Sequence, residues 1–334
     1  MDEHESPVVS VVVPFYDVEE CVDDCVRSLL CQDFDRYEVV CVDDGSRDRT
    51  GELLDGYAST DPRVRVLHTD NRGLSEARNA GVRAARATLV SFVDGDDVVS
   101  PHYLRLLFDA HGGVPGRMVA GRTRGVRRDE VESVEWRPAA QGRLALSRDD
   151  AIRRYLRWDL GFVAWGRLAP RDLYLRIPFE PDVLYEDSYA FPSHLSALDE
   201  VVLLDVELYG YIPRKGSLSN PHFLTHPHLE GKLRTIEHFC DVALAWPPDL
   251  RRLTVWRLDR HLLRLAEFSA QLGDRRRAKL YGSLARSALA KDLPWLLRAR
   301  REEHLSWQLP AASVIAVVSP RLLCVVDRIR RQHA

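Results

Sequence analysis

Apolar and polar positions follow a regular order through the first hundred residues. Val8–Val13 and Tyr37–Val42 are runs rich in β-branched residues, and each ends in turn or polar residues: Pro14-Phe15-Tyr16-Asp17 and Asp43-Asp44-Gly45-Ser46. Between them Val22, Val26, Leu29 and Leu30 recur at the spacing of an amphipathic helix over 18–32. Ser46-Arg47-Asp48 offers a helix N-cap, which predicts a second helix to about Ser59. A third strand is expected over 64–67, a helix over 75–86 and a fourth strand over 88–93. Ser100-Pro101 would open the next helix, with proline at its first position. Strands alternating with helices of this length predict a parallel sheet covered by helices on both faces. Ligands of such sheets bind beyond the carboxyl ends of the strands, so the loops 14–17, 43–46 and 94–97 should converge.

The fourth strand runs directly into Asp94-Gly95-Asp96-Asp97. Carboxylates crowded on a tight glycine turn repel one another, and a divalent cation with a taste for hard oxygen ligands, Mg²⁺ or Mn²⁺, would compensate them. A solvated Asp-Gly turn is the alternative reading of these residues taken alone. Glu186-Asp187 forms a second acidic pair where a loop enters a helix, with Ala190, Phe191, Leu195 and Leu198 following at helical spacing. A carboxylate at a helix N-terminus serves equally as a cap. No Gly-rich fingerprint follows the first strand and no Gly-Lys-Ser/Thr loop occurs, which argues against a dinucleotide dehydrogenase and a P-loop NTPase.

The order and spacing of V-S-V-V-V-P-F-Y-D (Val9 to Asp17), V-D-D-G-S (Val42 to Ser46), G-L-S-E-A-R-N-A-G (Gly73 to Gly81) and S-F-V-D-G-D-D (Ser91 to Asp97) resemble family 2 glycosyltransferases of the GT-A fold. The resemblance covers about residues 8–220. It implies an α/β, Rossmann-like nucleotide-sugar-binding domain with a mostly parallel sheet over 1–220, followed by an α-helical domain over 221–334. It further implies that Pro14, Tyr16 and Asp43 form the nucleobase pocket with Asp44 nearby, and that Arg78 lies near the base or diphosphate. Asn79 and Gly81 would shape the turn into the helix. Asp94 would meet the nucleotide-sugar and the metal, Asp96 the metal, and Asp97 would support them.

The same resemblance assigns Asp187 as the base of an inverting transfer, with Glu186 as its neighbour. One base on the acceptor side suffices for inversion. Tyr209-Gly210-Tyr211-Ile212-Pro213-Arg214-Lys215-Gly216-Ser217 resembles the segment that closes over the donor phosphates, with Arg214, Lys215 and Ser217 as contacts. His222 is the candidate for a further metal ligand, with His226 and His228 close by and a solvent-exposed loop histidine as the alternative. Trp165 and Arg167 stand where the family meets its acceptor, although arginine replaces the more familiar lysine, and Trp165 either stacks on a sugar or fills the core. The activity implied is hexosyl or N-acetylhexosaminyl transfer from a UDP-sugar to a glycan, teichoic-acid-like polymer or lipid-linked acceptor in polysaccharide or cell-wall biosynthesis. A nucleotide-sugar-binding scaffold and a metal-dependent nucleotidyltransferase are the alternatives.

Composition narrows the setting. At 334 residues the chain can bury a catalytic domain and a smaller one. A net charge of −3 with 29% charged residues gives no electrostatic case for nucleic acid. Six cysteines without paired Cys-x-x-Cys motifs argue against zinc and fit reduced thiols in the cytoplasm. The acidic, polar Met1–Pro7 does not resemble a signal peptide. From about Pro221 the pattern turns helical and rich in arginine, over 229–245, 250–272 and 275–289. The apolar stretch 311–326 is broken by Pro320 and is too short to predict a membrane span. It would pack on its own domain, pair copies of the chain, or lie peripherally on the anionic inner face of a membrane.

Overall fold

The computed structural model describes residues 6–136, 142–214 and 226–250, with scattered positions from 253 to 276. Two compact units emerge: Met1–Ile152 with Gly161–Ser219, and Arg153–Leu160 with Asn220–Ala334.

The first unit opens with β1 (Val9–Phe15), α1 (Glu19–Leu30), β2 (Tyr37–Asp43), α2 (Thr50–Thr60), β3 (Val64–His68), α3 (Leu74–Ala84) and β4 (Leu89–Phe92). Strands β3, β2, β1 and β4 lie side by side and parallel, in that order. Their residues are β-branched and buried because β1 and β2 are covered on both faces. Alternation of side chains divides the faces. Val9, Val11, Val13 and Phe15 join one core with Cys21, Val22, Cys25, Val26 and Leu29 of α1. Val12 faces α3, against which Gly81 sits closely. Pro14 tolerates its central strand because the β1–β4 ladder has ended at Val12 and Phe92, so no amide hydrogen is missed.

The chain continues through β5 (Val98–Val99), α4 (Tyr103–His111), β6 (Arg117–Gly125), β7 (Arg143–Ser147), α5 (Arg148–Leu156), β8 (Arg167–Pro170), α6 (Arg171–Arg176), α7 (Glu186–Ala197) and β9 (Glu200–Tyr211). Beyond β4 the sheet becomes mixed. Strand β8 runs antiparallel to β4 and β6, while β6 and β9 are parallel. These later strands carry β9 back beside the acid loop, since β5 pairs with β9 directly after Asp97.

Two boundaries differ from those expected. Asp48 caps from outside: its Oδ1 accepts the Thr50 amide at 2.9 Å, and α2 starts at Thr50, with Arg49 and not a residue of the expected Ser46-Arg47-Asp48 at its N-cap position. Pro101 lies in a turn ahead of α4, whose first residue is Tyr103. In the second unit α8 (His226–Leu244) realises the helix expected near 229–245. Within that unit Phe239 packs edge-on against Tyr155 and Trp246, and Arg257 lies over the rings of Tyr155 and Trp158 at 3.5 and 4.0 Å. The expected stretches 275–289 and 311–326 lie outside the described residues save for 275 and 276. No helix among the described residues is long and apolar enough to cross a membrane.

Candidate active site

The three loops at the carboxyl ends of β1, β2 and β4 meet. The Asp44 amide donates to the Phe15 carbonyl at 2.9 Å. The Asp17 amide donates to Ser46 Oγ at 3.1 Å, and the Arg47 amide to Asp17 Oδ1 at 2.7 Å. Gly95 packs so closely on the first loop that an added Cβ would stand 2.5 Å from the Phe15 ring and 2.8 Å from the Pro14 carbonyl oxygen. Any side chain there would push the acid loop off β1.

Within the acid loop, one oxygen each of Asp94, Asp96 and Asp97 lies within 4.8 Å of the others. The three differ in what holds them. Asp97 is buried; it accepts the Tyr209 hydroxyl at 2.7 Å and the Ile212 amide at 2.8 Å. Burial, then the charges of Asp94 and Asp96, push its pKa up to about 8. The same Tyr209 hydroxyl accepts the Asp94 amide at 3.1 Å, so one phenol fixes two residues of the loop. Asp94 accepts Arg78 Nη2 at 2.7 Å. Burial still raises the pKa of Asp94 against that cation. Asp96 is held by Nε of Arg214, three residues beyond the end of β9. An all-oxygen cluster in which the neighbouring carboxylate charges raise the pKa of Asp94 and Asp97 fits a hard divalent cation. Asp96 is the freest to take one, because among the described residues only a partly exposed guanidinium competes for it.

Arg78 is 2% exposed and carries the second link. Its Nη1 donates to Glu186, while its Nε has no partner. Asp94 and Glu186 outweigh the cost of burial and hold the guanidinium pKa above its ordinary value. The resemblance had put this arginine near the base or diphosphate; here both its arms go to carboxylates. Asn79 lies inside α3 instead of forming a turn. Its side chain pairs with both backbone groups of Phe179, donating to the carbonyl at 2.7 Å and accepting from the amide at 2.9 Å. Consecutive residues of α3 thereby grip the approach to α7 and its first turn.

Tyr185 precedes α7 in a left-handed conformation with φ 73°. This bend brings Glu186 and Asp187 to the start of the helix. Asp187 is half-buried and accepts the Ser188 amide at 2.5 Å, and no cationic side chain pairs with it among the described residues. Burial first, then the Glu186 charge, raise its pKa. A carboxylate so placed keeps its proton affinity, as a general base requires.

Asp43, expected at the nucleobase, is buried and accepts the Ser46 amide at 3.0 Å and His68 at 2.9 Å. Asp44 accepts Thr69 Oγ1, the Arg72 amide and the Gly73 amide at 3.0, 3.0 and 2.8 Å, so it shapes the loop ahead of α3. Tyr16 is 37% exposed, with the Arg47 guanidinium 5.7 Å from its ring centre. Trp165 stacks on Tyr209 at 4.3 Å and lies nearly parallel to Tyr211 at 6.2 Å, so it braces the strand that holds the acid loop. Arg167 is buried over the Phe191 ring at 4.3 Å and has no carboxylate partner among the described residues. Burial lowers its pKa to about 10. Lys215, Ser217 and His222 lie outside the described residues. His68 and Tyr209 are contacts that sequence reasoning did not single out for roles. The strand-end position of His68 was the available signal for the first; nothing in the sequence joins Tyr209 to Asp97.

Residues 10–168 match the family model of glycosyl transferase family 2, and this segment belongs to that family. The uncharacterized glycosyltransferase EpsJ of Bacillus subtilis is 36% identical over 228 residues, which cover 64% of this chain and 63% of that protein. The glycosyltransferase GlyA of Streptococcus pneumoniae is 28% identical over 217 residues, 63% of this chain and 31% of that protein. The chain thus spans less than two thirds of either relative. Among solved structures, residues 1–349 of Staphylococcus aureus TarS in complex with UDP-GlcNAc superpose with a TM-score of 0.56 at 17% identity, covering 82% of this chain and 90% of that one. The fold is GT-A.

Proposed function

We propose that the chain is an inverting glycosyltransferase that moves a sugar from a nucleotide diphosphate-sugar, UDP-linked, to a hydroxyl of a glycan, teichoic-acid-like polymer or lipid-linked acceptor. The observation that carries the reading is Asp187: a half-buried carboxylate without a cationic partner among the described residues, tied through Glu186 and Arg78 to Asp94 of the acid loop. TarS, which shares the fold, has been solved with UDP-GlcNAc and with UDP, and this supports a nucleotide-sugar donor.

In a single displacement the acceptor oxygen forms a bond to the anomeric carbon as the bond to the diphosphate oxygen breaks. The acceptor's proton passes to Asp187. Asp96, with Asp94 beside it, would hold Mn²⁺ or Mg²⁺, and the bound cation supplies Lewis-acid stabilisation of charge on the departing diphosphate. Pro14, Tyr16 and Asp43 line the proposed nucleobase pocket, and Asp44 shapes the loop next to it. Arg214 would exchange Asp96 for the donor phosphates, with Lys215 and Ser217 after it and His222 as a further cation ligand. Trp165 and Arg167 mark the acceptor side, Trp165 through the aromatic stack it builds with Tyr209. The region from 221 onward is the proposed helical domain; packing on its own domain or on a second chain is preferred for it over contact with the inner membrane face.

Thermal-shift measurements with UDP, GDP, dTDP and CDP, each with and without Mn²⁺, test the donor reading, because a ligand of the native state raises the melting temperature by mass action. A cation-dependent rise with one diphosphate, and release of that diphosphate from its sugar on addition of acceptor glycans, supports it. No rise with any of the four would sink it.

A further inference from the structure

At the end of β3, His68 stands between two carboxylates. Its Nδ1 is 2.9 Å from Asp43 Oδ2 and its Nε2 is 3.0 Å from Asp55 Oδ1. An imidazole faced by carboxylate oxygens at both nitrogens can donate to both only when it carries both protons. Asp43 reaches it from β2 and Asp55 from α2, the two elements packed against β3; these are the charged groups that face the ring.

The surroundings are shaped to this pair. An added Cβ on Gly51 would lie 2.7 Å from Asp43 Oδ2 and 3.4 Å from His68 Cε1, so α2 admits the bridge by having no side chain there. The other oxygen of Asp43 accepts the Ser46 amide at 3.0 Å. A backbone amide on one oxygen and a ring on the other hold a buried carboxylate in one rotamer. Asp55, largely exposed, fixes the far side of the ring.

We propose that His68 is a positioning residue for nucleobase recognition: doubly protonated between Asp55 and Asp43, it holds the Asp43 carboxylate in the orientation that receives an N–H of the donor's base. This rests on the assignment of Asp43 to the donor pocket. Charge-assisted hydrogen bonds are about twice as strong as neutral ones, so the grip weakens when the ring loses a proton. The bonds to Asp43 and then Asp55 raise the pKa of His68 above its ordinary value. The full grip is therefore present below the ordinary histidine value and fades as pH rises through the raised one.

The two amide isosteres separate the roles of the two nitrogens. His68→Asn places an N–H near Nδ1 and keeps the bond to Asp43. His68→Gln places its N–H near Nε2, keeps only Asp55 and leaves Asp43 free to turn. The probe is the diphosphate among UDP, GDP, dTDP and CDP that binds the full chain most tightly with Mn²⁺, followed by calorimetry from pH 6 to 9. His68→Gln should weaken binding about tenfold, the worth of roughly one charge-assisted hydrogen bond. His68→Asn should bind within about twofold of the parent, and the decline in affinity above the ring's pKa should vanish in it. The turnover number at saturating donor should hold in both, since the interaction is the same in ground and transition states. Parent-like binding by His68→Gln, or equal weakening of both variants with equal loss of melting temperature, overturns the role of His68 and leaves the donor pocket standing. If no diphosphate binds the parent chain, the donor pocket falls and the inference with it.

Discussion

Arg78 of α3 donates through Nη1 to Glu186 at the first turn of α7, 108 residues further along the chain. The other arm of the same guanidinium holds Asp94 at 2.7 Å. A rigid, planar fork therefore sets the spacing between the acid loop and the helix that carries Asp187. Burial makes the arrangement unforgiving, because removing the cation leaves two carboxylates in a poorly solvated site.

Arg78→Leu should lower the free energy of unfolding by about 3–5 kcal/mol, the usual cost of stranding buried charge. Urea titration followed by circular dichroism measures it. Arg78→Lys keeps the charge but cannot reach both acids with fixed geometry. It should recover part of the stability and little of the turnover. A stability loss below about 1 kcal/mol in Arg78→Leu would show that the bridge is not formed in solution.

Asp187→Asn removes the proton acceptor and preserves shape. The turnover number should fall by about two to four orders of magnitude, with donor affinity little changed. Burial and Glu186 raise the Asp187 pKa, so the parent's kcat/KM should decline as pH drops through a value above the ordinary carboxylate range. The acidic limb of the pH profile should disappear in the residual activity of the variant. Retention of more than about a tenth of the parent turnover would remove Asp187 from this role.

Arg214 Nε donates to Asp96, so a cation and this guanidinium compete for one carboxylate. Arg214→Ala should tighten Mn²⁺ binding several-fold, as read by electron paramagnetic resonance, while raising KM for the donor. Asp96→Ala should abolish Mn²⁺ binding without unfolding the chain, because its partner Arg214 is partly exposed and can turn to water. Equal donor affinity in EDTA and in Mn²⁺ would refute the metal role.

The helices expected beyond residue 250 separate by salt and lipid. Pairing through apolar faces should persist at high ionic strength and appear as a larger species in light scattering. Contact with a membrane should give flotation with anionic vesicles that weakens as salt screens it. A monomer that shows no vesicle binding, and whose truncation before Pro310 leaves stability and activity unchanged, would exclude both.

Periodicity alone located the helix of Cys21 to Leu29 and the strands ending at Asp43 and Phe92, because burial on known faces imposes spacings of 3.6 and 2 residues that are written locally. The convergence of Pro14, Asp43 and Asp94 followed from the same pattern, since parallel strands share one carboxyl end. The acid cluster was legible because like charges on a tight turn call for a cation wherever the turn sits. What only the tertiary structure decided are the pairings across long separations. Arg78 turns to Asp94 and Glu186, Tyr209 to Asp97, Arg214 to Asp96, and His68 to Asp43 and Asp55. A charged or aromatic residue carries no mark of which partner it will meet. That choice depends on strand order and on the antiparallel return of β9 beside β5, and the polar groups left without water then take whichever complementary group the topology brings within reach.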